Sequence, residues 1–265
     1  MSRRALVTGA SGAFGTALRE ELRGRGWSVV GLDLADDGDE VIACDVTDDE
    51  AVPRAVATAA QRLGGLDVVV NHAGIGGPAS AGEPPGERVR QMIDVNLLGA
   101  WRVTAAAIDH LVESRGRVVL LGSRMSFIGL PLGAAYGMSK RALTAYADAL
   151  RAEYGTHVSV TCIHPAFVRT PIHDATRAAG LELEGFSHEE PLERVVATIV
   201  RACESPRPGR DVAVTRGGAL QMAVARHMPR LVDRIVARTL AKRVAAGELD
   251  GAEIAAGLRT RHRSS

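Results

Sequence analysis

The chain has 265 residues, 46% of them hydrophobic and 24% charged, with a formal net charge of +1. That length suits one large α/β domain better than two small ones. The near-neutral charge argues against a nucleic-acid partner gripped through its phosphates, and no apolar run approaches the roughly 20 residues of a membrane span.

Taken in order, Ala5-Leu6-Val7 reads as a short buried strand, followed by the glycine-rich turn T-G-A-S-G-A-F-G (residues 8–15) and a helix to about Gly24. Glycines at a strand-to-helix turn let the backbone approach a pyrophosphate, and the helix N-terminus adds amide donors. A second strand spans 28–32, with Asp33 at its end, 18 residues after Gly15. An acid there accepts hydrogen bonds from an adenosine ribose and repels a 2′-phosphate, so the expected cofactor is NAD rather than NADP. A third strand (41–44) leads through Asp45-Val46 to a helix over about 47–63, capped by Thr47 or Asp48. A fourth (67–70) ends in N-H-A-G, Asn71 to Gly74, where Ala73 and Gly74 let a flat ring or ribose lie against the backbone. His72 has no nucleophile or carboxylate placed for it and reads as a loop histidine near the adenosine half.

A Gly/Pro-rich loop (76–86) precedes a long helical pattern, 87 to about 113, containing Asn96 among apolar neighbours. Gly99 within it hints at close packing or a local helical irregularity. The buried strand 117–121 then opens onto S-R-M-S-F-I-G-L-P-L-G-A-A-Y-G-M-S-K, residues 123–140, and a helix over 134–154. Ser123 thus falls at the mouth of a parallel sheet's ligand crevice. Tyr136 and Lys140 share a helix face one turn apart. The ammonium is expected to pull the phenol below its usual pKa of about 10, as a general acid/base requires. A sixth strand over 157–163 is followed by H-P-A-F-V-R-T-P. The alternation throughout predicts a doubly wound α/β fold, a parallel sheet with helices on both faces.

These motifs, in this order and at this spacing, resemble the short-chain dehydrogenase/reductase family over about residues 4–214. The resemblance implies a Rossmann-like fold of about seven strands and hydride transfer at a CH–OH group. It implies that Tyr136 passes the proton, Ser123 holds the substrate oxygen, Lys140 tunes the tyrosine and grips the nicotinamide ribose, and Asn96 holds a linking water. Gly9, Gly15 and the backbone near Ser11 and Phe14 would cradle the pyrophosphate; Asp33 would bind the adenosine ribose, and Asp45 and Val46 the adenine edge. Asn71, Ala73, Gly74, Val168 and Thr170 complete the expected cofactor contacts. Three positions depart from the family pattern: Ala13, His72 and Ala166, the last standing where glycine usually follows Pro165.

The expected substrate contacts are Ser123, Met125, Phe127, Tyr136, Phe167 and Ile172, with Ile128, Leu130 and Leu132 and a lid over 171–190 (His173, Leu181, Leu183, Phe186) adding apolar lining. The substrate is therefore expected to be a hydrophobic secondary alcohol or ketone, steroid-, terpenoid- or long-chain-like. Competing readings are a 3-oxoacyl-thioester reductase, which needs a basic surface for its carrier, and an idle dinucleotide sensor, which needs no shifted phenol. After a strand at 211–214, a helical extension (about 216–246) repeats Arg226, Arg230, Arg234, Arg238 and Lys242 every four residues, with Pro229 starting its main segment. It is expected to cap the cleft or pack on a second subunit, ahead of lying on a membrane surface. Residues 247–265 read as a polar tail.

The absence of a secretory h-region gives a cytoplasmic location as the expectation. Cys44, Cys162 and Cys203 show no metal-site spacing, and Cys44 and Cys162, in predicted strands, read as small buried hydrophobes. A homodimer or homotetramer is expected, built through the Tyr136 helix and its successor (191–203).

Overall fold

The computed structural model describes residues 2–35, 38, 40–181 and 189–263. Seven strands form one parallel sheet in the order β3-β2-β1-β4-β5-β6-β7. They are β1 (Arg4–Thr8), β2 (Ser28–Asp33), β3 (Val41–Ala43), β4 (Val68–Asn71), β5 (Arg117–Leu121), β6 (Ser159–His164) and β7 (Asp211–Ala213). The interior strands are apolar at successive positions, as strands covered on both faces must be: Val68, Val69 and Val70 are all buried.

One face is covered by α2 (Ala51–Leu63), α4 (Ala100–Ser114) and α5 (Ala134–Tyr154), the other by α1 (Ala13–Gly24) and α7 (Leu192–Glu204). Strand order reverses between β1 and β4, so the crevice opens beyond their carboxyl ends. The cap expected for α2 is supplied by Asp48, whose Oδ1 accepts from the backbone N–H groups of Glu50 and Ala51 at 2.8 Å each.

The long helix expected over 87–113 is interrupted. α3 (Glu87–Ile93) passes through a π-helical turn (Asp94–Gly99) into α4. Both readings of Gly99 hold, because the irregularity ends there and a Cβ at that position would lie 2.7 Å from Cγ2 of Val46.

The C-terminal extension is more ordered than its composition suggests. α8 (Arg216–His227) and α9 (Pro229–Ala245) are separated at Met228, with Pro229 in the first turn of α9. The segment read as a polar tail folds back as α10 (Ala256–Arg263), and Leu249, Ala252 and Ala255 are buried with Leu132, Leu181, Leu240 and Val244. Arg259 seals the return by donating to the carbonyls of Asp250 and Ala252 at 3.0 and 2.8 Å and to that of Leu249. Within the expected lid, Pro171–His173 forms a short 3₁₀ turn and Asp174–Ala178 forms α6. Leu183 and Phe186 lie outside the described residues.

Candidate active site

A cavity of about 640 Å³ runs from the glycine-rich turn to the C-terminal extension. Ser123 reaches it two residues beyond β5, in extended backbone (φ −161°, ψ 157°), with its Oγ accepting from the Met125 N–H at 3.2 Å. Tyr136 and Lys140 enter from the first turns of α5, and the serine hydroxyl hydrogen-bonds to the phenol. All three side chains line the same space.

The electrostatics differ from the expectation. Burial pushes the Tyr136 phenol up to about 12, with the Ser123 hydrogen bond opposing, rather than below its usual value. Burial also pulls the Lys140 ammonium down to about 8. Lys140 Nζ donates to the Leu121 carbonyl at 2.8 Å and lies 5.8 Å from the Tyr136 ring centroid, and desolvation is the largest effect on both groups.

Asn96, 1% exposed, spends its amide on structure. Oδ1 accepts from the Ile75 N–H at 2.8 Å, and Nδ2 donates to the Ile75 carbonyl and to Ser139 Oγ at 3.0 Å each. It thereby ties the loop after β4 to α5. Gly74 makes room for this arrangement, since a Cβ there would lie 3.2 Å from Asn96 Oδ1 and 3.5 Å from Lys140 Nζ.

The turn fits a dinucleotide. Gly9 adopts φ +68°, and a Cβ on it would meet His72 Nδ1 at 2.9 Å. Gly12, the N-cap of α1, has no side chain to cap the helix, and Gly12, Ala13 and Phe14 line the cavity, so the helix N-terminus borders it. Thr8 Oγ1 accepts from the N–H groups of His72 and Ala73 at 3.0 Å each, holding the N-H-A-G loop beside the turn. Asp33 accepts from the Ser11 N–H at 2.8 Å and the Leu34 N–H at 2.7 Å.

Of the expected contacts, Phe14, Gly74, Val168, Thr170, Met125, Phe167 and Ile172 line the cavity. Others have different work. Gly15 is fully packed against the turn, where a Cβ would lie 2.2 Å from the Gly9 carbonyl oxygen. Asp45 Oδ1 accepts from Thr47 N–H and Oγ1 at 2.9 and 2.8 Å, and Val46 joins the core behind the sheet. Asn71 Nδ2 donates to Thr104 Oγ1 at 2.9 Å inside the core. Phe127 stands behind the serine segment, with its ring edge-on to His164 and beneath Arg226. Leu132 and Leu181 anchor the C-terminal extension.

His72 is nearer the chemistry than expected. It packs against Phe14 at 5.3 Å between ring centroids and lines the cavity. Burial, with Lys140 adding repulsion, pulls its imidazole down to about 4 and leaves it neutral at pH 7.

The roof is what sequence reasoning assigned least firmly. Leu220, Gln221 and Val224 of α8, with Val232, Ile235, Val236 and Thr239 of α9, close the cavity over Ser123 and Tyr136. The extension therefore caps the cleft, and its apolar stripe at 232, 235 and 236 was the available signal. Arg124, 6% exposed, also lines the cavity and ties the serine segment to the roof through Gln221. Among the described residues no helix is long and apolar enough to cross a membrane.

Residues 3–180 match the family model described as short chain dehydrogenase. The chain is 32% identical over 218 residues to an L-fucose dehydrogenase of Bos taurus, covering 76% of this chain and 78% of that one. It is 36% identical over 206 residues to a 1-deoxy-11-beta-hydroxypentalenate dehydrogenase of Streptomyces exfoliatus, covering 68% and 73%. In three dimensions it resembles a short chain dehydrogenase of Burkholderia cenocepacia solved with NADP, with a TM-score of 0.76 at 22% identity over 89% of this chain and 97% of that one. The chain belongs to the short-chain dehydrogenase/reductase family, oxidoreductases that act on CH–OH groups with a nicotinamide dinucleotide. The roof, from Leu220 onward, lies beyond the residues that the family model matches.

Proposed function

We propose that this short-chain dehydrogenase interconverts a hydrophobic secondary alcohol and its ketone with NAD, using Tyr136, Ser123 and Lys140 as its proton-handling set. The observation that carries the reading is one cavity with these three side chains in its floor and the apolar faces of α8 and α9 as its roof. NAD, when bound, supplies the hydride acceptor at its nicotinamide ring. The open amides of α1 and the turn at Gly9 would hold its pyrophosphate, and Val168 and Thr170 border the space for the nicotinamide end. Ser123 Oγ holds the substrate oxygen while Tyr136 exchanges a proton with it. The high phenol pKa favours donation to a ketone oxygen; accepting a proton from an alcohol requires the phenolate, which the Lys140 ammonium supports.

The walls argue for an apolar substrate. Met125, Ile128, Leu130 and Ile172 line the cavity with Val224, Val232 and Val236, with Arg124, Gln221, His173 and Thr239 as scattered polar points. A steroid-, terpenoid- or long-chain-like alcohol fits this lining, whereas a sugar would leave most of its hydroxyls unpaired. Val236→Asp puts a carboxylate in the roof and is expected to raise KM for an apolar alcohol about 10- to 100-fold, with KM for a sugar alcohol little changed. Steady-state kinetics on the two substrate classes check this; equal effects on both would remove the substrate assignment.

NAD preference rests on Asp33, whose charge would face a 2′-phosphate. Asp33→Ala is expected to lower the NAD-over-NADP ratio of kcat/KM about 10- to 100-fold, the worth of a hydrogen bond to a charged group. An unchanged ratio would mean that another group sets the choice. One observation favours a second substrate reading: Arg230, Arg234 and Arg238 are exposed on α9 beside the roof and offer cations to a carrier's phosphate. Assay of a 3-oxoacyl thioester beside a terpenoid alcohol separates the two. Self-association through α5 is also proposed, because Leu98, Trp101 and Met138 stay exposed on the π turn, α4 and α5, whereas α7 turns its apolar residues on the core.

A further inference from the structure

Behind the serine, between the last residue of β6 and the first of β7, lies a buried pair with no part in the chemistry described above. His164 is 0% exposed. Its Nδ1 lies 3.2 Å from the main-chain carbonyl oxygen of Ser123, and its Nε2 lies 3.2 Å from Asp211 Oδ1. A carbonyl and a carboxylate are acceptors only, so each nitrogen can satisfy its partner only by carrying a hydrogen. We propose that His164 is a positioning residue: held by Asp211 as a doubly protonated imidazolium, it pins the Ser123 carbonyl and so sets where the serine hydroxyl meets the substrate oxygen.

The surroundings are built for this. Gly122 admits the ring against the main chain, since a Cβ there would lie 2.6 Å from His164 Nδ1. Phe127 meets the imidazole edge-on at 4.9 Å between centroids, and the Arg226 guanidinium of α8 lies over the Phe127 ring at 5.2 Å. Arg226 also reaches Asp211 Oδ2 at 3.4 Å. One residue further along each strand the attachment repeats, with the Arg124 N–H donating to the Pro165 carbonyl at 2.9 Å. The serine peptide is therefore held from one side by consecutive residues of β6 and its exit, and α8 is linked to it through Arg226 and Asp211. Because a misplacement of about 1 Å at a reacting group costs about 100-fold in rate, a tie on this carbonyl bears directly on turnover.

Other charges face the pair. Cys162 of β6 comes within 4.8 Å, Lys140 of α5 interacts with Cys162, and Arg151 of α5 adds its field to Asp211. A ring protonated at both nitrogens has no lone pair for a metal, so the grouping with Cys162 is an ion pair beside a thiol. The balance favours the charged ring: against burial, the interactions with Asp211 and with Cys162 together raise its pKa to about 9. The sign follows from a folded value above the usual 6.5; the tie's stabilisation is complete below 6.5 and is lost as pH rises through about 9.

This inference rests on Ser123 holding the substrate oxygen, so its test includes readouts independent of turnover. Ring ¹⁵N and backbone ¹³C resonances of labelled protein are followed against pH. Both His164 nitrogens are expected to be protonated at pH 7, and the Ser123 carbonyl shift is expected to move with the same midpoint as the ring. In Asp211→Asn the common midpoint is expected to fall by about two units, the loss of one charged partner. A nitrogen bare at pH 7, or a Ser123 carbonyl that ignores the ring's titration, would overturn the proposal. With a secondary alcohol that the wild type oxidises, Asp211→Asn is expected to lose kcat about 10- to 100-fold at pH 8.5 and to recover at pH 6, with KM for NAD unchanged. His164→Gln, which cannot titrate, is expected to show the loss at both pH values. A loss independent of pH in Asp211→Asn would mean packing alone and would also overturn it. Failure of the wild type to oxidise any alcohol would refute the oxidoreductase mechanism, while the two resonance midpoints would still decide the tie.

Discussion

Tyr136→Phe is expected to lower kcat by about 10²- to 10⁴-fold, the usual worth of a positioned general acid or base, while NAD affinity and melting temperature change little. The change removes one oxygen from a ring that forms the cavity floor, and the ring itself stays packed beside Ala79 and Met92. Ser123 keeps its Met125 N–H contact and loses only its bond to the phenol. Substrate can still enter, but no group at that point can exchange its proton. Steady-state rates with the preferred alcohol, together with fluorescence titration of NAD, separate the two effects. Retained turnover would remove Tyr136 from the mechanism.

Lys140→Met is expected to cut kcat by a similar factor of about 10²–10⁴ and to make the protein more stable at pH 7. Lys140 is 3% exposed, and its ammonium donates a hydrogen bond to the Leu121 carbonyl. Burial holds its pKa at about 8 against an ordinary 10.5, so the unfolded chain binds the extra proton between those values. The cost of the buried cation is thus full below pH 8 and fades as pH rises toward 10.5. Methionine fills the same volume without the charge, a gain of roughly 1–4 kcal/mol at neutral pH that narrows in alkali. Thermal melts at pH 7 and 10 measure it. A stability loss at pH 7 would mean that the ammonium is better solvated than this geometry allows.

The parallel sheet with helices on both faces, and the meeting of Ser123, Tyr136 and Lys140 in one cavity, were legible because each depends on short-range pattern: apolar runs for buried strands, and a four-residue step for one helix face. What escaped depends on contacts between distant segments. Phe127 sits among residues that line the cavity, yet it turns away because His164 and Arg226 offer it a slot 37 and 99 positions on. Leu132 likewise leaves the cavity for the C-terminal cluster. The tail at 247–263 looked polar because its inward residues, Leu249, Ala252 and Ala255 with Ile254 and Leu258 partly buried beside them, do not follow one helical period. The phenol's shift was misjudged in sign for a physical reason. Spacing along a helix places an ammonium near a ring, but it does not say where the ammonium's hydrogen bond goes or how much water both groups lose.

The most direct test of the mechanism is a crystal structure of this chain with NAD and a secondary alcohol it binds. The account predicts the alcohol carbon within about 3–3.5 Å of the nicotinamide C4, its oxygen touching both the Ser123 and Tyr136 hydroxyls beneath Val232 and Val236. A nicotinamide ring seated away from Tyr136, or an alcohol oxygen in contact with neither hydroxyl, would contradict it.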